Sequence, residues 1–265
     1  SISGVTNLSI NNFQNEEDYI SDLTGIGGFT ALETLNIPYN SLTTLDMSAN
    51  TALTFLQCYG NNLTSINVSA NTALVELHCG GNELTSLDLT NNTALTILGA
   101  QRNSFTSLDL SNNVLLETLF LKEGDLTSLD LSNNTALGSI ECFSNSLDTL
   151  DFSNNTALYS LKCYNNQLTY LNMRNGVTDQ LTTFNATNNA LTCIETLDPD
   201  YATENWTSID EGVTFSVICG AEEQDVWHVT TTGSDGGAGT QESPFATIQT
   251  GINAAGDGNT VHVAA

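Results

Sequence analysis

Histidine is the first side chain to test for catalytic chemistry, since it is the usual general base near neutral pH. The chain has three histidines, His78, His228 and His262, and they are scattered along it without an evident Cys/His or Ser/His/Asp set. His78 could face outward near Glu76, but a single pair of this kind is a weak signal. No C-x-x-C, H-E-x-x-H or phosphate-binding loop occurs. We therefore predict no catalytic residues, no enzyme activity and no cofactor.

Four of the six cysteines share one sequence position, the sixth of a recurring segment: Cys58, Cys79, Cys142 and Cys163. Ala100 and Leu121 occupy that position in the two intervening segments, which indicates a small, apolar, inward-facing site. We interpret the four cysteines as buried thiols that pack as small hydrophobic groups. Neighbouring rungs of stacked strands lie roughly 4.8 Å apart, so a disulfide within each adjacent pair stays open as an alternative.

Carboxylates and amides form a second regular row, at Asp46, Asn67, Asp88, Asp109, Asp130, Asp151 and Asn172. Carboxylates one rung apart repel each other and would favour Ca²⁺ or another hard cation. We interpret the row instead as a solvated one, because no EF-hand loop or tight Asp cluster supports a dedicated site, and we predict no metal.

Threonines run beside this row at Thr43, Thr64, Thr85, Thr106 and Thr127. Such rows could order water as on ice-binding solenoids, but more often they are good β-formers on a polar face.

A repeat of 21 residues sets all of these positions. The segment TSLDLSNNTAL stands at Thr127 and recurs with small changes at Thr85 and Thr106. It alternates with a segment of the form L-x-x-L-x-C/L-x-x-N-x-L. Seven units start at Leu32, Leu53, Leu74, Leu95, Leu116, Leu137 and Leu158. Since L-x-x-L-x-L-x-x-N occurs twice per unit, we predict two short strands per coil, stacked into two parallel sheets around one core. The predicted fold is a mainly β solenoid with a cap at each end.

An asparagine follows the first strand in six of the seven units. In a buried turn its amide can satisfy backbone groups that no sheet partner reaches. We predict a structural asparagine ladder at Asn40, Asn61, Asn82, Asn103, Asn145 and Asn166.

The outward positions of the first strand differ in every unit, whereas the Thr/Ser/Asp face scarcely changes. Uniformity is broken on one face only, and this comparison within the chain is the main indication of function. The predicted ligand-binding residues are Tyr39, Phe55, Tyr59, His78, Arg102, Phe120, Lys122, Phe143, Lys162 and Tyr164. The densest group lies in units five to seven. Aromatic rings beside cations suit a sugar that bears carboxylate or sulfate, and equally a protein hot spot, while ordinary surface is the alternative.

The seven tandem units resemble the bacterial leucine-rich repeats of nested 21-residue type that are common in secreted proteins of the Bacteroidetes group. The resemblance covers about residues 1–220: an N-terminal cap at 1–31, the repeats at 32–180, and a partial repeat with a C-terminal cap at 181–220. In the exit cap that this resemblance implies, Trp206 and Phe215 cover the last rung and Cys193 and Cys219 form the cross-link. Such a bridge implies an oxidising, extracellular compartment.

Residues 221–265 are different in kind. Ala221 to Gln224 reads as a short acidic linker, and the remainder resembles the opening of secreted right-handed parallel β-helix domains of the pectin-lyase-like class. The matching parts are a first strand around Trp227 to Val229, a Gly-rich loop, a capping helix in PFATIQTGINAA and a strand in TVHV. We predict a truncated start of such a domain, without β-helix coils within residues 221–265. The catalytic residues of polysaccharide lyases would lie downstream, so none is carried over to this chain.

The net charge of -26, with only four basic residues, limits the possible partners. Such a surface repels nucleic acid and anionic membranes, and no apolar run approaches membrane-spanning length. The chain opens at Ser1 without a signal peptide, so either it is cytosolic or a leader has been removed.

We predict a monomeric, secreted or cell-surface module for ligand recognition, either adhesion or protein binding. A carbohydrate-recognition module, with a polysaccharide at the same face, is the alternative. A rigid spacer and an ice-binding solenoid are further alternatives.

Overall fold

The structure is a computed structural model of the 265-residue chain, and it describes residues 2–10, 19–220, 226–255 and 260–264. The predicted linker at 221–224 lies outside the described residues, as do residues 1 and 11–18 of the predicted N-terminal cap. Fifteen short strands and two short α-helices make up most of the regular structure of the described residues.

The strands of the coils are β1 Asn7–Ser9, β2 Thr34–Asn36, β3 Phe55–Gln57, β4 Glu76–His78, β5 Ile97–Gly99, β6 Thr118–Phe120, β7 Ser139–Glu141, β8 Thr149–Asp151, β9 Ser160–Lys162, β10 Tyr170–Met173, β11 Thr183–Asn185, β12 Cys193–Thr196 and β13 Thr214–Ser216. The C-terminal unit has β14 Val226–Thr230 and β15 Thr260–Ala264. Helix α1 spans Pro199–Asn205, and helix α2 spans Ile248–Ala254. Single 3₁₀ turns lie at Ile2–Gly4, Ile26–Gly28 and Thr178–Gln180.

Nine strands form one parallel sheet in the order β1-β2-β3-β4-β5-β6-β7-β9-β11. Within the repeats, each strand residue pairs with the residue 21 positions further along the chain, as Leu35 does with Leu56 and Leu56 with Leu77. The middle residue of each repeat strand is buried, and its neighbours point outward. The leucine spacing therefore specifies both the register and the inward face, and the predicted parallel solenoid is confirmed.

The core is a single column of leucines along the coils, many of them without any exposed surface. Cys58, Cys79, Cys142 and Cys163 lie in this column as free, buried thiols. Burial disfavours the thiolate, so it raises the pKa of Cys79 and Cys142 to about 12 and that of the other two well above the ordinary value. Their buried, apolar environment therefore agrees with the interpretation of these cysteines as small hydrophobic groups.

Two asparagine ladders run through the turns. In the predicted one, the Asn103 amide donates to the carbonyls of Cys79 and Ala100, and its oxygen accepts from the Leu84 N–H at 3.0 Å. A second ladder, absent from the sequence prediction, consists of Asn50, Asn71, Asn92, Asn113, Asn134 and Asn155, all at most 1 % exposed. Each of their amides donates to two carbonyls of preceding turns. Six of the seven coils thus have a buried or half-buried ladder asparagine after the first strand, and Gly124 takes that position in the fifth coil.

The turn after the first strand uses a left-handed backbone conformation once per coil. The residues concerned are Tyr39, Gly60, Gly81, Arg102, Glu123, Ser144, Asn165 and Asn188, with φ between 52° and 68°. Glycine adopts this region without a Cβ penalty, whereas most other residues pay about 1 kcal/mol or more. Tyr39, Arg102 and Glu123 occupy the position despite that cost.

The second strands form a sheet only near the C-terminal end, in the order β13-β12-β10-β8. Further toward the N-terminus, within the described coils, the second segments form one isolated bridge, between Asp46 and Asn67. In all of these coils the row carboxylate or amide accepts from the N–H two residues further on, as Asp109 does from Ser111 at 3.0 Å, and a turn follows. The four-stranded sheet lies where the C-terminal cap supplies β12 and β13.

The C-terminal cap covers the last coil as expected. Trp206 is 4 % exposed, stacks on Phe184 at 4.4 Å between ring centroids, and meets Phe215 edge-on at 5.7 Å. Cys193 and Cys219 form a disulfide, so the predicted cross-link is confirmed.

The C-terminal unit pairs β14 with β15 in parallel and packs α2 on them around Trp227, Val229 and Phe245. Arg174, only 8 % exposed, joins this unit to the solenoid by donating to the carbonyls of Gly236 and Gly237 at 2.9 Å each. Neither this unit nor any other described part of the chain contains a helix with the length and apolar character needed to cross a membrane.

Replacing one rung of the predicted ladder tests its structural role. Asn103→Ala removes four hydrogen bonds and leaves buried backbone groups without partners, so we expect a loss of about 3 kcal/mol in the free energy of unfolding. Urea denaturation followed by circular dichroism measures it. Asn112→Ala, at an exposed position, is the matched control and should change stability little. Equal effects of the two substitutions would contradict the ladder's role.

The buried thiols should be inert in the folded chain. Because the reactive species is the thiolate, and burial suppresses it, we expect iodoacetamide to modify none of the four free cysteines until the chain is unfolded. Intact-mass spectrometry with and without denaturant counts the modified thiols. Rapid labelling of the native chain, or fewer than four reactive thiols after unfolding, would show that the ladder is exposed or oxidised.

Candidate ligand-binding face

The predicted ligand-binding residues project from the long sheet and from the turn that follows each of its strands. Register brings them together across coils: Phe120 pairs with Glu141, and Glu141 with Lys162. A strand face with alternate residues inward leaves these side chains half-buried beside one another. We call this outward surface of the first strands and their turns the variable face.

The strongest cluster on the variable face is aromatic and cationic. Phe143 and Tyr164 stack with ring centroids 4.3 Å apart and an interplanar angle of 10°. The Lys122 ammonium lies 5.3 Å from the centroid of Phe143 and 5.9 Å from that of Phe120, within cation–π distance of both. The patch predicted in units five to seven is therefore one contiguous group in the structure.

Glu141 connects the cations of this cluster. Its carboxylate accepts from Lys122 at 2.6 Å and from Lys162 at 2.9 Å, and its side chain is only 14 % exposed. Burial alone raises the pKa of the Glu141 carboxyl, but the hydrogen bonds from the two lysines outweigh it, so the pKa is lowered. The network holds two ammonium groups at fixed places beside the stacked rings.

A second group lies toward the N-terminal end of the face. Tyr39 and Tyr59 meet edge-on with ring centroids 4.7 Å apart. Phe55 and His78 lie 5.7 Å apart, and His78 Nε2 is 3.5 Å from a Glu76 oxygen. The structure therefore assembles two neighbouring aromatic pairs here.

Arg102 is exposed, and its Nε donates to Glu123 at 2.6 Å. Both residues occupy the left-handed turn position of adjacent coils. The hydrogen bond from Arg102 lowers the pKa of Glu123. Screening by solvent makes an exposed pair of this kind a weak source of stability.

Sequence reasoning missed Glu141 and Glu123 as members of the site. It selected aromatic and basic side chains, whereas these carboxylates fix the orientation of the basic ones. A signal was present, because Glu141 lies one rung from both Phe120 and Lys162 in the repeat register.

Among the described residues, the row aspartates and the histidines do not gather aromatic and cationic side chains as the variable face does. The row aspartates accept from nearby backbone, which lowers the pKa of Asp46, Asp88, Asp109 and Asp130. No three His, Cys, Asp or Glu side chains of the described ranges converge in a way that could hold a metal ion. The histidines are scattered along the sequence, but in the structure His228 and His262 pair in register, with their ring centroids 5.3 Å apart.

Solved structures similar to this chain are leucine-rich-repeat proteins. The functional domain of InlJ from Listeria monocytogenes, which includes a cysteine ladder, is 35% identical, with a TM-score of 0.66 over 74% of this chain and 44% of that one. The leucine-rich effector YopM from Yersinia pestis is 30% identical, with a TM-score of 0.57 over 62% and 46%. A leucine-rich-repeat protein of Leptospira interrogans, at 22% identity and a TM-score of 0.58, supports the fold alone.

The chain thus has the leucine-rich-repeat solenoid fold, and it spans less than half of the length of the InlJ and YopM structures. No protein-family model and no curated protein sequence matches it.

The lysine–glutamate network predicts a pH-dependent stability. The folded pKa of Glu141 lies below its ordinary value of 4.5, so its ion pairs stabilise the fold above that value, and the contribution is lost as pH falls through the lower folded pKa. We expect Glu141→Gln to cost about 1 kcal/mol at neutral pH. The difference from the parent chain should shrink in acid.

Urea denaturation at several pH values measures this difference, and Glu117→Gln, at an exposed position one coil earlier, is the control. A pH-independent difference, or an equal effect of the control, would exclude the proposed network.

Proposed function

We propose that this chain is an extracellular recognition module that binds a partner protein through the variable face. The observation that carries the proposal is the contrast between the two outward surfaces of one repeat. One surface keeps the same Thr/Ser/Asp residues from coil to coil, whereas the other collects stacked rings and positioned cations.

The chemistry of the patch supports a protein ligand. Aromatic side chains and cations held by neighbours lose little conformational freedom on binding, and they dominate the energetics of protein interfaces. The Phe143–Tyr164 stack provides an apolar surface, and Lys122 and Lys162 provide donors at its edge. We propose all ten residues predicted from the sequence as the binding site, with Glu141 and Glu123 as positioning residues.

The proposed location is the cell exterior. A disulfide between Cys193 and Cys219 is typical of oxidising compartments. The net charge of -26 disfavours nucleic acid and anionic membrane surfaces as partners. We propose a secreted or surface-attached monomer, of bacterial origin as the nested repeat suggests.

For the chain ends we propose the division expected from the sequence: a cap at 1–31, repeats at 32–180, a partial repeat and cap at 181–220, and the start of a β-helix-like domain after the linker. The parallel pairing of β14 with β15 and the helix α2 between them support the last part.

The double substitution Phe143→Ala/Tyr164→Ala tests the binding face. Both rings are half-buried and outward, so their removal should spare the core while lowering partner affinity at least tenfold, about 1.4 kcal/mol or more. The measurement is photo-crosslinking on live cells, with a benzophenone side chain at position 118. Identification by mass spectrometry and titration of the purified partner follow.

The matched control is Thr85→Ala/Ser86→Ala, two exposed residues of the uniform face. It should crosslink and bind like the parent chain. Unchanged affinity in the aromatic double variant, with its fold intact, would place the partner elsewhere and refute the proposal.

A carbohydrate ligand on the same face is the second candidate. It is favoured by the Phe143–Tyr164 stack beside two ammonium groups, which suits a sugar ring carrying carboxylate or sulfate. A glycan array probed with the parent chain and with the aromatic double variant separates the two candidates. Binding to anionic glycans that the double variant loses would favour the carbohydrate.

A further inference from the structure

A pocket of 520 Å³ lies among the second-strand segments of units five to seven, apart from the variable face. Its volume falls within the roughly 300–1,000 Å³ that is usual for small-molecule sites. Leu129 and Leu150 contribute apolar lining, Asp130 and Asp151 contribute carboxylates, and the wall also includes the Tyr170 ring and the Asn154 amide. The lining therefore combines an aromatic ring and apolar carbon with hydrogen-bond donors and acceptors.

Tyr170 forms this pocket by departing from the repeat. The equivalent position of the other six units holds a small hydroxyl residue: Thr44, Ser65, Ser86, Ser107, Ser128 and Thr149. Tyr170 pairs in register with Thr149, whose side chain is small, so the Tyr170 ring forms one wall of the pocket beside it. The Tyr170 wall therefore distinguishes this pocket from the 290 Å³ pocket beside Thr44 and Asp46 at the other end of the same face.

The ring is held in place from behind. The Tyr170 hydroxyl donates to Glu195 at 3.0 Å, and Glu195 pairs with Arg174 at 3.2 Å, with both of their side chains only 6 % exposed. Burial and the Glu195 charge raise the pKa of Tyr170 to about 12, so the hydroxyl stays a donor to that carboxylate. A wall fixed before binding saves the cost of ordering it on binding.

The carboxylates at the rim are oriented as well. Asp130 accepts from the Ser132 N–H at 2.9 Å, and Asp151 from the Ser153 N–H at 2.8 Å. Both carboxylates remain accessible to solvent, and each has further lone pairs for a ligand. The Asn154 amide nitrogen donates to the Ser132 carbonyl at 3.3 Å. The amide oxygen of Asn154 can therefore accept from a hydroxyl group of a ligand.

We propose that this pocket binds a neutral pyranose ring. The apolar C–H face of a sugar suits the Tyr170 ring and the leucine side chains, while its hydroxyls donate to Asp130 and Asp151. Uronates and sulfated sugars are excluded by the same two carboxylates, in a chain of net charge -26. The mixture of amide, hydroxyl and apolar lining distinguishes this site from a bare carboxylate pair, which would select a cation.

Titration of the full chain with small probes tests the proposal. The probes are the methyl pyranosides of glucose, galactose and mannose, with galacturonate as the anionic probe, and arginine amide and CaCl₂ as the cationic ones. Ligand-observed NMR and calorimetry should show at least one neutral pyranoside binding with a Kd of about 1 mM or tighter, and no binding of galacturonate.

Tyr170→Ser restores the residue type of the earlier units, and it should weaken the neutral sugar at least tenfold, about 1.4 kcal/mol. Asp130→Asn, which leaves the Tyr170–Glu195–Arg174 contacts intact, should also weaken it. Ser86→Ala, at the same repeat position in unit three, is the matched control and should bind like the parent chain.

The proposal is overturned if no neutral pyranoside binds, if only arginine amide or Ca²⁺ binds, or if Tyr170→Ser and Asp130→Asn both bind sugar as well as the parent does. The Phe143→Ala/Tyr164→Ala variant should retain this binding. A failure at the pocket is therefore separate from a failure of the variable face.

Discussion

The buried amides at the bends of each coil are the interaction on which this solenoid depends. A coil of 21 residues must turn several times around a narrow apolar column, and each turn buries backbone groups that no strand partner can reach. Asn103 and Asn113 solve this in one coil by donating to carbonyls of the same and preceding coils. Because both ladders connect successive turns, hydrogen bonds as well as leucine packing join each coil to the one before it. The first ladder continues even across the coil that is two residues longer, where Asn189 donates to the carbonyls of Cys163 and Ala186.

This fixed frame allows variation only where side chains point outward. On the first strands, the residues that differ between repeats form a network in which the Glu141 carboxylate is largely buried and pairs with two ammonium groups. These ion pairs are only partly shielded from solvent and contribute modestly to stability, so the network matters more as a means of orienting Lys122 over two aromatic rings. Arg102 and Glu123, paired at left-handed turn positions, accept a backbone cost that glycine avoids in two other coils. The surface chemistry of this face is thus supported by its own contacts rather than by the core.

Much of the fold was predictable from the sequence because one period governs it. The leucine spacing predicted the parallel register and the buried cysteine position, and the likeness to a known type of exit cap predicted the bond from Cys193 to Cys219. What the period could not predict depends on contacts between different parts of the chain. The second sheet forms only beside the C-terminal cap, because β12 and β13 are supplied there. Likewise, the repeat register places Glu141 one rung from Phe120 and Lys162, but only the structure shows that its carboxylate accepts from Lys122 and Lys162 together.

Arg174 shows most clearly how a departure from the repeat gains meaning only in three dimensions. By sequence it is one of four basic residues in a strongly acidic chain. In the structure it is buried between Asn172, Glu195 and two carbonyls of the C-terminal unit. Glu195 compensates the charge of this buried guanidinium, and the neutral oxygens of Asn172 and the two carbonyls accept its remaining N–H groups. Glu195 also accepts from Tyr170 and from the N–H of Cys219, so one carboxylate connects the second sheet, the disulfide and the docked unit. The uniform face therefore ends in a junction whose polar contacts position a pocket wall.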